Sequence, residues 1–348
     1  MHNANGQPVG ADERNPPMYT GSAATRDAHS LSDGLAHAAA AAGYAPSIHN
    51  TQPWRWLVGS DTLDLYLDRS RVLAVTDPDT RLATLSCGAA LHHARTVLAA
   101  EGWHVTIARM PDAADQDHLA HLRVYAPAPV DPEAVRRVRT IPLRHTDRRP
   151  AMGPPVGPED LRAISATVQA EAAWLHILRP EQVIELAAAA DHAQRTDAGV
   201  PEWRTELGYW TGGARLTGTG IPNAASPHAR ETTVSGPDVG ERGDRPVSAE
   251  YDRAARFAIL YGRSDEARDW LRAGEALSAG WLTATERGIS VMPLSAPVEV
   301  MGTREAMRRH LSYLNHPYLV LRLGTVDPAD SDATNAPRLP PDQTIGRL

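Results

Sequence analysis

The sequence predicts an α+β chain built from two related halves, and three observations carry that prediction. An alternating run, TLDLYL, puts Leu63, Leu65 and Leu67 on one face and follows WRWLV across Gly59-Ser60-Asp61, as the second strand of a hairpin would. Alanine-rich stretches of helical character end at glycines and pass directly into strand-like segments. One such unit occurs twice. Gly88-Ala89-Ala90-Leu91 is followed by Gly102 and Val105, and Gly274-Glu275-Ala276-Leu277 is followed at the same interval by Gly288 and Val291. On that pattern alone two readings stay open. One is coincidence between Ala/Gly-rich helices; the other is two halves packing their long helices together as a fused dimer would.

The elements follow in order. Residues 1–30 are poor in large apolar groups and read as a flexible tail. Ser32 is a candidate N-cap for a helix over 33–43 that Gly43 stops. After the hairpin, residues 79–101 predict a long helix stopped by Gly102, with strands in WHVTIARM and HLRVY. The second part predicts a helix over 158–172, the strand WLHIL and a helix over 180–196. A stretch from 199 to about 246, loaded with Gly, Pro, Ser, Thr and charge, reads as irregular; segments that long are functional covers or disordered. A helix over 265–287, the strand ISVMPL, a helix over 303–312, the strand YLVLRLG and a Pro-rich tail complete the chain. A division near residue 140 gives halves of 31–140 and 141–348 that are not self-sufficient, so a flexible joint is not expected there.

Composition narrows the function. A formal charge of −7 argues against nucleic acid or an anionic membrane as the main partner. No apolar run approaches the roughly 20 residues that span a bilayer, and the N-terminal residues lack a basic start and apolar core. A soluble cytoplasmic protein is the expectation. One cysteine, Cys87, excludes an intramolecular disulfide framework, and its place inside a predicted helix makes it a buried apolar residue rather than a nucleophile. Fifteen histidines raise the question of a metal, but His92 and His93 are adjacent, His118 and His121 lack a Glu partner, and no HExxH occurs. No metal site is expected.

Two stretches concentrate polar groups. APSIHNTQPWRW, 45–56, sits at a helix-to-strand junction and is dense in hydrogen-bonding side chains. IPLRHTDRRP, 141–150, packs Arg144, His145, Thr146, Arg148 and Arg149 between two prolines. Guanidinium groups recognise phosphate bidentately and a nearby hydroxyl adds direction, although most basic runs are simply solvated loops.

APSIHNTQPW resembles the PS-x-x-N-x-QPW signature of the FMN-dependent nitroreductase family, and RHTDR resembles that family's R-[RH]-S-x-[RK] phosphate-and-ribityl loop. SVMPLSAP, 290–297, looks like the strand end that lies along the flavin ring, and PRLPPD, 337–342, is similar to a C-terminal Arg-Leu-Pro segment that reaches the phosphate. The order departs from the ordinary family, because the arginine loop here follows the PS-x-x-N loop instead of preceding it. That inversion fits two nitroreductase-like halves joined end to end, as in the Acg subfamily of single-chain proteins.

The resemblance implies a nitroreductase-like fold. Two mixed, mainly antiparallel sheets would pack with long central helices as a pseudo-dimer, with a lid over about 199–246. It implies FMN as cofactor, with Pro46 and Ser47 at the flavin edge, Asn50 on its polar edge and Gln52 supporting that contact or the loop. Arg144 and Arg148 would hold the phosphate, helped by His145, Thr146 and Arg338. Met292, Pro293, Leu294 and Ser295 would bring backbone toward the reactive nitrogen, and Trp54 would pack. Flavin chemistry needs no acid or base side chain, so no catalytic residue is implied. The implied partners are a small organic substrate (nitroaromatic, quinone or a desaturation substrate) and NAD(P)H. A monomer holding an internal pseudo-dimer is implied, with a homodimer left open. The alternative is a flavin-holding protein whose lid stays shut over the cofactor.

Overall fold

The computed structural model describes residues 31–149, 151–212, 215–221, 254–326 and 336–348. The first helix, α1 (Leu31–Ala42), buries Leu35, Ala38, Ala39 and Ala42 and stops before Gly43. Ser32 lies inside its first turn and is not the cap expected of it. The hairpin forms as predicted, with β1 (Trp54–Val58) antiparallel to β2 (Thr62–Leu67) and Trp56 opposite Leu65. The long helix α2 (Arg81–Ala100) leads through Gly102 into β3 (Trp103–Arg109), which pairs with β4 (His118–Pro127).

A helix absent from the sequence reading follows: α3 (Pro132–Thr140), capped by the Asp131 side chain, which accepts from Glu133 N. Next come α4 (Pro158–Ala170), β5 (Trp174–Ile177) and α5 (Pro180–Ala198). The stretch expected to be irregular contains α6 (Pro201–Thr211), started by Pro201 at its first position and burying Leu207 and Trp210. Its glycines and prolines masked that helix in the sequence. Residues 222–246 of the stretch lie outside the described residues. A second missed element, β6 (Arg256–Gly262), is buried on both faces and so shows no alternation. The chain continues with α7 (Ala267–Glu286), β7 (Ser290–Leu294), α8 (Ala296–Glu299), α9 (Met301–His310), β8 (His316–Gly324) and a short β9 (Ile345–Arg347).

Among the described residues these strands make two sheets, ordered β3-β4-β2-β1-β9 and β7-β8-β6-β5. Apart from β9, each strand of the first has its counterpart in the second. The bounds of α2 shifted by 186 residues are the bounds of α7. Gly102 and Gly288, separated by the same 186, both adopt positive φ, 79° and 68°. One register irregularity also matches, at Leu65/Tyr66 between β2 and β4 and at Leu260/Tyr261 between β6 and β8, whereas that at His104/Val105 between β3 and β4 has no counterpart. Coincidence between two helices would not reproduce strand order and a shared bulge, so the fused-dimer reading holds. The C-terminal β9 pairs in parallel with β1, which returns the end of the chain to the first sheet and carries residues 336–340 past the junction of the halves.

Helices α2 and α7 cross between the sheets. Leu82 and Leu85 of α2 join the core of the second half, while Leu271 and Leu282 of α7 join that of the first. Cys87 is buried there, as expected, with its thiol pushed up by burial. No helix among the described residues is long and apolar enough to cross a membrane.

Candidate functional site

The loop after α1 is held in an unusual shape. His49, Asn50 and Gln52 all adopt positive φ, at 44°, 55° and 51°. Non-glycine residues rarely enter that region, and such strain persists only where surrounding contacts enforce it. Those contacts are present. Ser47 Oγ accepts from Gln52 N at 3.0 Å, and Ile48 N donates to Ser86 Oγ on α2 at 3.1 Å. Facing this loop is the arginine loop, docked on the second sheet by a bridge from Thr146 to Val291.

Between them lies a cleft of roughly 1270 Å³, counting its open mouth. Eleven of the thirteen residues singled out from the sequence line it: Pro46, Ser47, Asn50, Arg144, His145, Thr146, Arg148, Met292, Pro293, Ser295 and Arg338. Gln52 and Leu294 do not. Gln52, 1% exposed, stands behind the loop, donating to Gly218 O at 2.7 Å and accepting from Leu339 N at 3.0 Å. Leu294 packs into the apolar cluster that holds Phe257, Ile259 and Val320. Pro293 has no N–H to offer a ligand.

The amide of Asn50 is fully engaged by the protein. Its Nδ2 donates to Gly220 O at 3.2 Å and to Pro337 O at 2.9 Å, while Oδ1 accepts from Arg338 Nη1 at 2.8 Å. Gly220 and Ile221, from the stretch expected to act as lid, also line the cleft. Sequence reasoning passed over the two helix faces that form its apolar wall. Leu82 and Leu85 of α2 and Leu277 and Trp281 of α7 line it at helical spacing, where a sequence shows only core.

The electrostatics point one way. Among the described residues, Arg144, Arg148 and Arg338 line the cleft and no carboxylate does. Arg144 is 4% exposed and lies 4.6 Å over the Trp281 ring. Its Nη2 donates to Tyr44 O at 3.2 Å, but Nε and Nη1 are buried without a hydrogen-bond partner. Burial, with Arg338 adding to it, drives its pKa well below the ordinary arginine value. Burial likewise lowers Arg148 against the pull of Asp147, and lowers Arg338 to about 10. Guanidinium groups stay charged in proteins, so these downward pushes express a demand for an anion. Arg149 does not share in it, since its guanidinium is bound to Asp147 at 2.7 Å. His49, pushed down to about 4 by burial and Arg148, is a neutral imidazole at pH 7.

At the pseudo-twofold mate of this cleft lies a buried ion-pair cluster. Where the cleft has Trp281 and Ser295, the first half has Arg95 and Arg109 in register. Both close on Glu275, 1% exposed: Arg95 Nη1 at 2.5 Å and Arg109 Nε at 2.6 Å. Glu171 adds a further contact to Arg95 at 2.9 Å.

Among the described residues, a fused pair of α+β halves with an arginine-rich, apolar-walled cleft at their junction defines the class of protein. Similar sequences sharpen that class. The chain is 33% identical over 309 residues to the Mycobacterium tuberculosis protein named "Putative NAD(P)H nitroreductase acg", matching 86% of this chain and 92% of the relative. It is 36% identical over 307 residues to a second protein of that organism, "Putative NAD(P)H nitroreductase Rv3131", matching 85% of each. No family model matches the chain. Among solved structures, a nitroreductase with bound FMN from Desulfitobacterium hafniense aligns with 61% of this chain and 98% of its own, at 13% identity and a TM-score of 0.39. The chain belongs to the nitroreductase family, in its Acg-like single-chain branch.

Proposed function

We propose that this protein is an FMN-dependent oxidoreductase of the nitroreductase type, with NAD(P)H as electron donor and a small organic acceptor such as a quinone or nitroaromatic. The observation that carries the proposal is Arg144. It is a buried guanidinium with two unpartnered nitrogens, Nε and Nη1, beside Arg148 and Arg338, in a cleft whose remaining wall is largely apolar. A phosphate supplies the missing acceptors, and the faces of Leu82, Leu85, Leu277 and Trp281 suit a flat aromatic ring. Arg144, Arg148 and Arg338 would hold the phosphate with Thr146 beside them, while Pro46, Ser47, Met292, Pro293 and Ser295 would frame the ring.

FMN, when bound, supplies two-electron transfer between donor and acceptor. The chain's own part is to orient the ring, exclude water and govern entry. Because the mate of the cleft holds the Arg95–Glu275–Arg109 ion pairs, one FMN per chain is expected.

A second reading rests on Asn50 and Gln52, which hold the 215–221 segment against the cleft through Gly220 and Gly218. Permanent closure of that segment would make the protein a flavin holder rather than a reductase. The test is direct. Protein reconstituted with FMN is freed of excess ligand, its flavin is released by heat and counted, and the holoprotein is mixed anaerobically with NADH or NADPH. One flavin per chain with bleaching and turnover of a quinone supports the reductase. One flavin without bleaching supports the holder, and no retained flavin overturns both.

A further inference from the structure

The two sheets differ on their outer faces. Aligning the bulges at Leu65-Tyr66 and Leu260-Tyr261 sets Asp64 against Ile259, His121 against Val320 and His118 against Pro317. Ile259 and Val320 are fully buried in a cluster that includes Leu186 of α5 and Met307 of α9. The first sheet instead leaves Arg123 and Tyr125 of β4 exposed, and three metal-ligand side chains converge on that face. Asp64, on β2, is directly opposite His121 on β4. His118 approaches from across the bulge.

We propose that Asp64, His118 and His121 form a binding site for a divalent transition-metal ion, zinc by preference. His118 Nε2 and His121 Nδ1 each lie 2.7 Å from the same oxygen, Asp64 Oδ1. One ligand atom from each of the three falls within 4.8 Å of the others. Two imidazoles and one carboxylate suit zinc among the common divalent ions. Three protein ligands leave a fourth tetrahedral position for water.

The site is anchored where precision matters. Asp64 is largely buried although it lies on an outward-facing position, because the two imidazoles cover it. The His118 ring stacks on Tyr66 at 4.4 Å and 12°, which fixes its plane, and Arg55 lies 5.2 Å over the other partner of that stack. His121, its side chain 36% exposed, is the ligand free to adjust. Adjustment is required, since ligands around tetrahedral zinc stand about 3.3 Å apart. Each ring nitrogen that now shares a proton with Asp64 must also present its lone pair, by losing that proton or by moving it to the other nitrogen, so binding is accompanied by proton release or tautomer change.

Sequence spacing alone does not disclose this site. Asp117 adjoins His118 in sequence but is paired with Arg69, and the carboxylate that both histidines meet comes from a strand more than fifty residues earlier, in a register the sequence does not state.

The test uses the full chain, stripped with a chelator and dialysed against zinc, with metal counted by mass spectrometry and thermal unfolding followed in parallel. The expected result is one tightly held zinc per chain and a raised melting temperature. Asp64→Asn and His121→Ala should each weaken zinc binding by at least about tenfold while melting normally without metal. His121→Ala removes a half-exposed ring and keeps the test valid should Asp64→Asn fold poorly. Absence of saturable zinc binding overturns the proposal. So does zinc binding that is unchanged in His121→Ala, because it would then belong to other histidines. Neither readout involves the flavin, so this result stands apart from that of the proposed oxidoreductase.

Discussion

Gly88 and Gly274 face each other where α2 crosses α7. A Cβ built on Gly88 would collide with the Leu271 carbonyl oxygen and lie 3.0 Å from Gly274 Cα; one on Gly274 would collide with the Leu85 carbonyl. The reciprocity is that of a twofold interface, in which each half offers the other the same atoms.

Gly88→Ala is therefore expected to destabilise the protein. Alanine gains about 1 kcal/mol of helix propensity over glycine, but overpacking costs about 1–3 kcal/mol or more, and here the obstruction is backbone that cannot swing aside. Leu85 also lines the cleft, so a displaced crossing reaches the site. Calorimetry should show a melting point several degrees lower, with weaker retention of flavin. An unchanged melting point would mean that the helices do not cross this closely.

Arg144 carries a prediction of two opposite signs. Without an anion its buried, half-partnered charge is a liability, and replacing such groups with apolar ones is often stabilising by about 1–4 kcal/mol. Arg144→Met should raise the melting temperature of flavin-free protein while abolishing the further rise expected on adding FMN. The double variant Arg144→Ala/Arg148→Ala should lose flavin on gel filtration. A flavin-free Arg144→Met that melts below the parent would show that the guanidinium is satisfied in ways its geometry does not indicate.

What the sequence made legible follows from the range of each signal. Glycine stops, the Leu63-Leu65-Leu67 alternation and the repeat at Gly88 and Gly274 are local patterns, and each marked its element correctly. One missed element, α3, does carry a local start signal, Asp131 followed by Pro132, while three others are obscured. β6 is buried on both faces, α6 is hidden among glycines and prolines, and β9 is three residues long. At the site, charged and hydrogen-bonding residues announced themselves, whereas Trp281 and Leu277 are indistinguishable in sequence from ordinary core. That Asn50 spends its amide on Gly220, Pro337 and Arg338 depends on contacts 170 residues or more away, which no local signal encodes.

Glu299 should shape the pH dependence of stability. Burial raises it to about 7, with Asp197, Asp77 and Glu206 adding to the rise and a Ser295 hydrogen bond opposing it. Asp77 and Asp197 are each raised by burial to about 6. A carboxyl raised on folding holds its proton longer in the folded state, so stability falls as pH climbs from the unfolded value through the folded one. For Glu299 that window runs from about 4.5 to 7, and its full contribution is at most roughly 3 kcal/mol. His49, lowered to about 4, acts oppositely and costs stability as pH falls from 6.5. Melting curves of Glu299→Gln between pH 5 and 7.5 should be flatter than those of the parent, and the variant should be the more stable at pH 7.5. Parallel curves would show that Glu299 is ionised in the folded protein throughout.

The access question turns on two residues that do not line the cleft. Gln52 ties Gly218 O and Leu339 N to the back of the 46–52 loop. Glu206, on α6, accepts from Val75 N at 3.0 Å, Thr76 N at 2.9 Å and Thr76 Oγ1 at 2.7 Å. Together they pin both arms of the segment that brings Gly220 and Ile221 to the cleft. The close approach is built in, since Gly218 has φ 92° and a Cβ there would lie 2.7 Å from Arg338 O. Removing a partner from a buried hydrogen-bonded pair costs about 1–3 kcal/mol, which raises the open population by about 5–150-fold. Because neither side chain is placed to touch the flavin, Gln52→Ala and Glu206→Ala should leave FMN affinity nearly intact. Anaerobic bleaching of the bound flavin by NADPH should nevertheless quicken by about tenfold or more in each. Under the reductase reading the parent already bleaches and the variants accept bulkier quinones. Under the holder reading the parent is inert and activity appears only in the variants. Bleaching at the parent's rate in both variants would show that these contacts do not limit entry, and that the substrate reaches the cleft without moving the 215–221 segment.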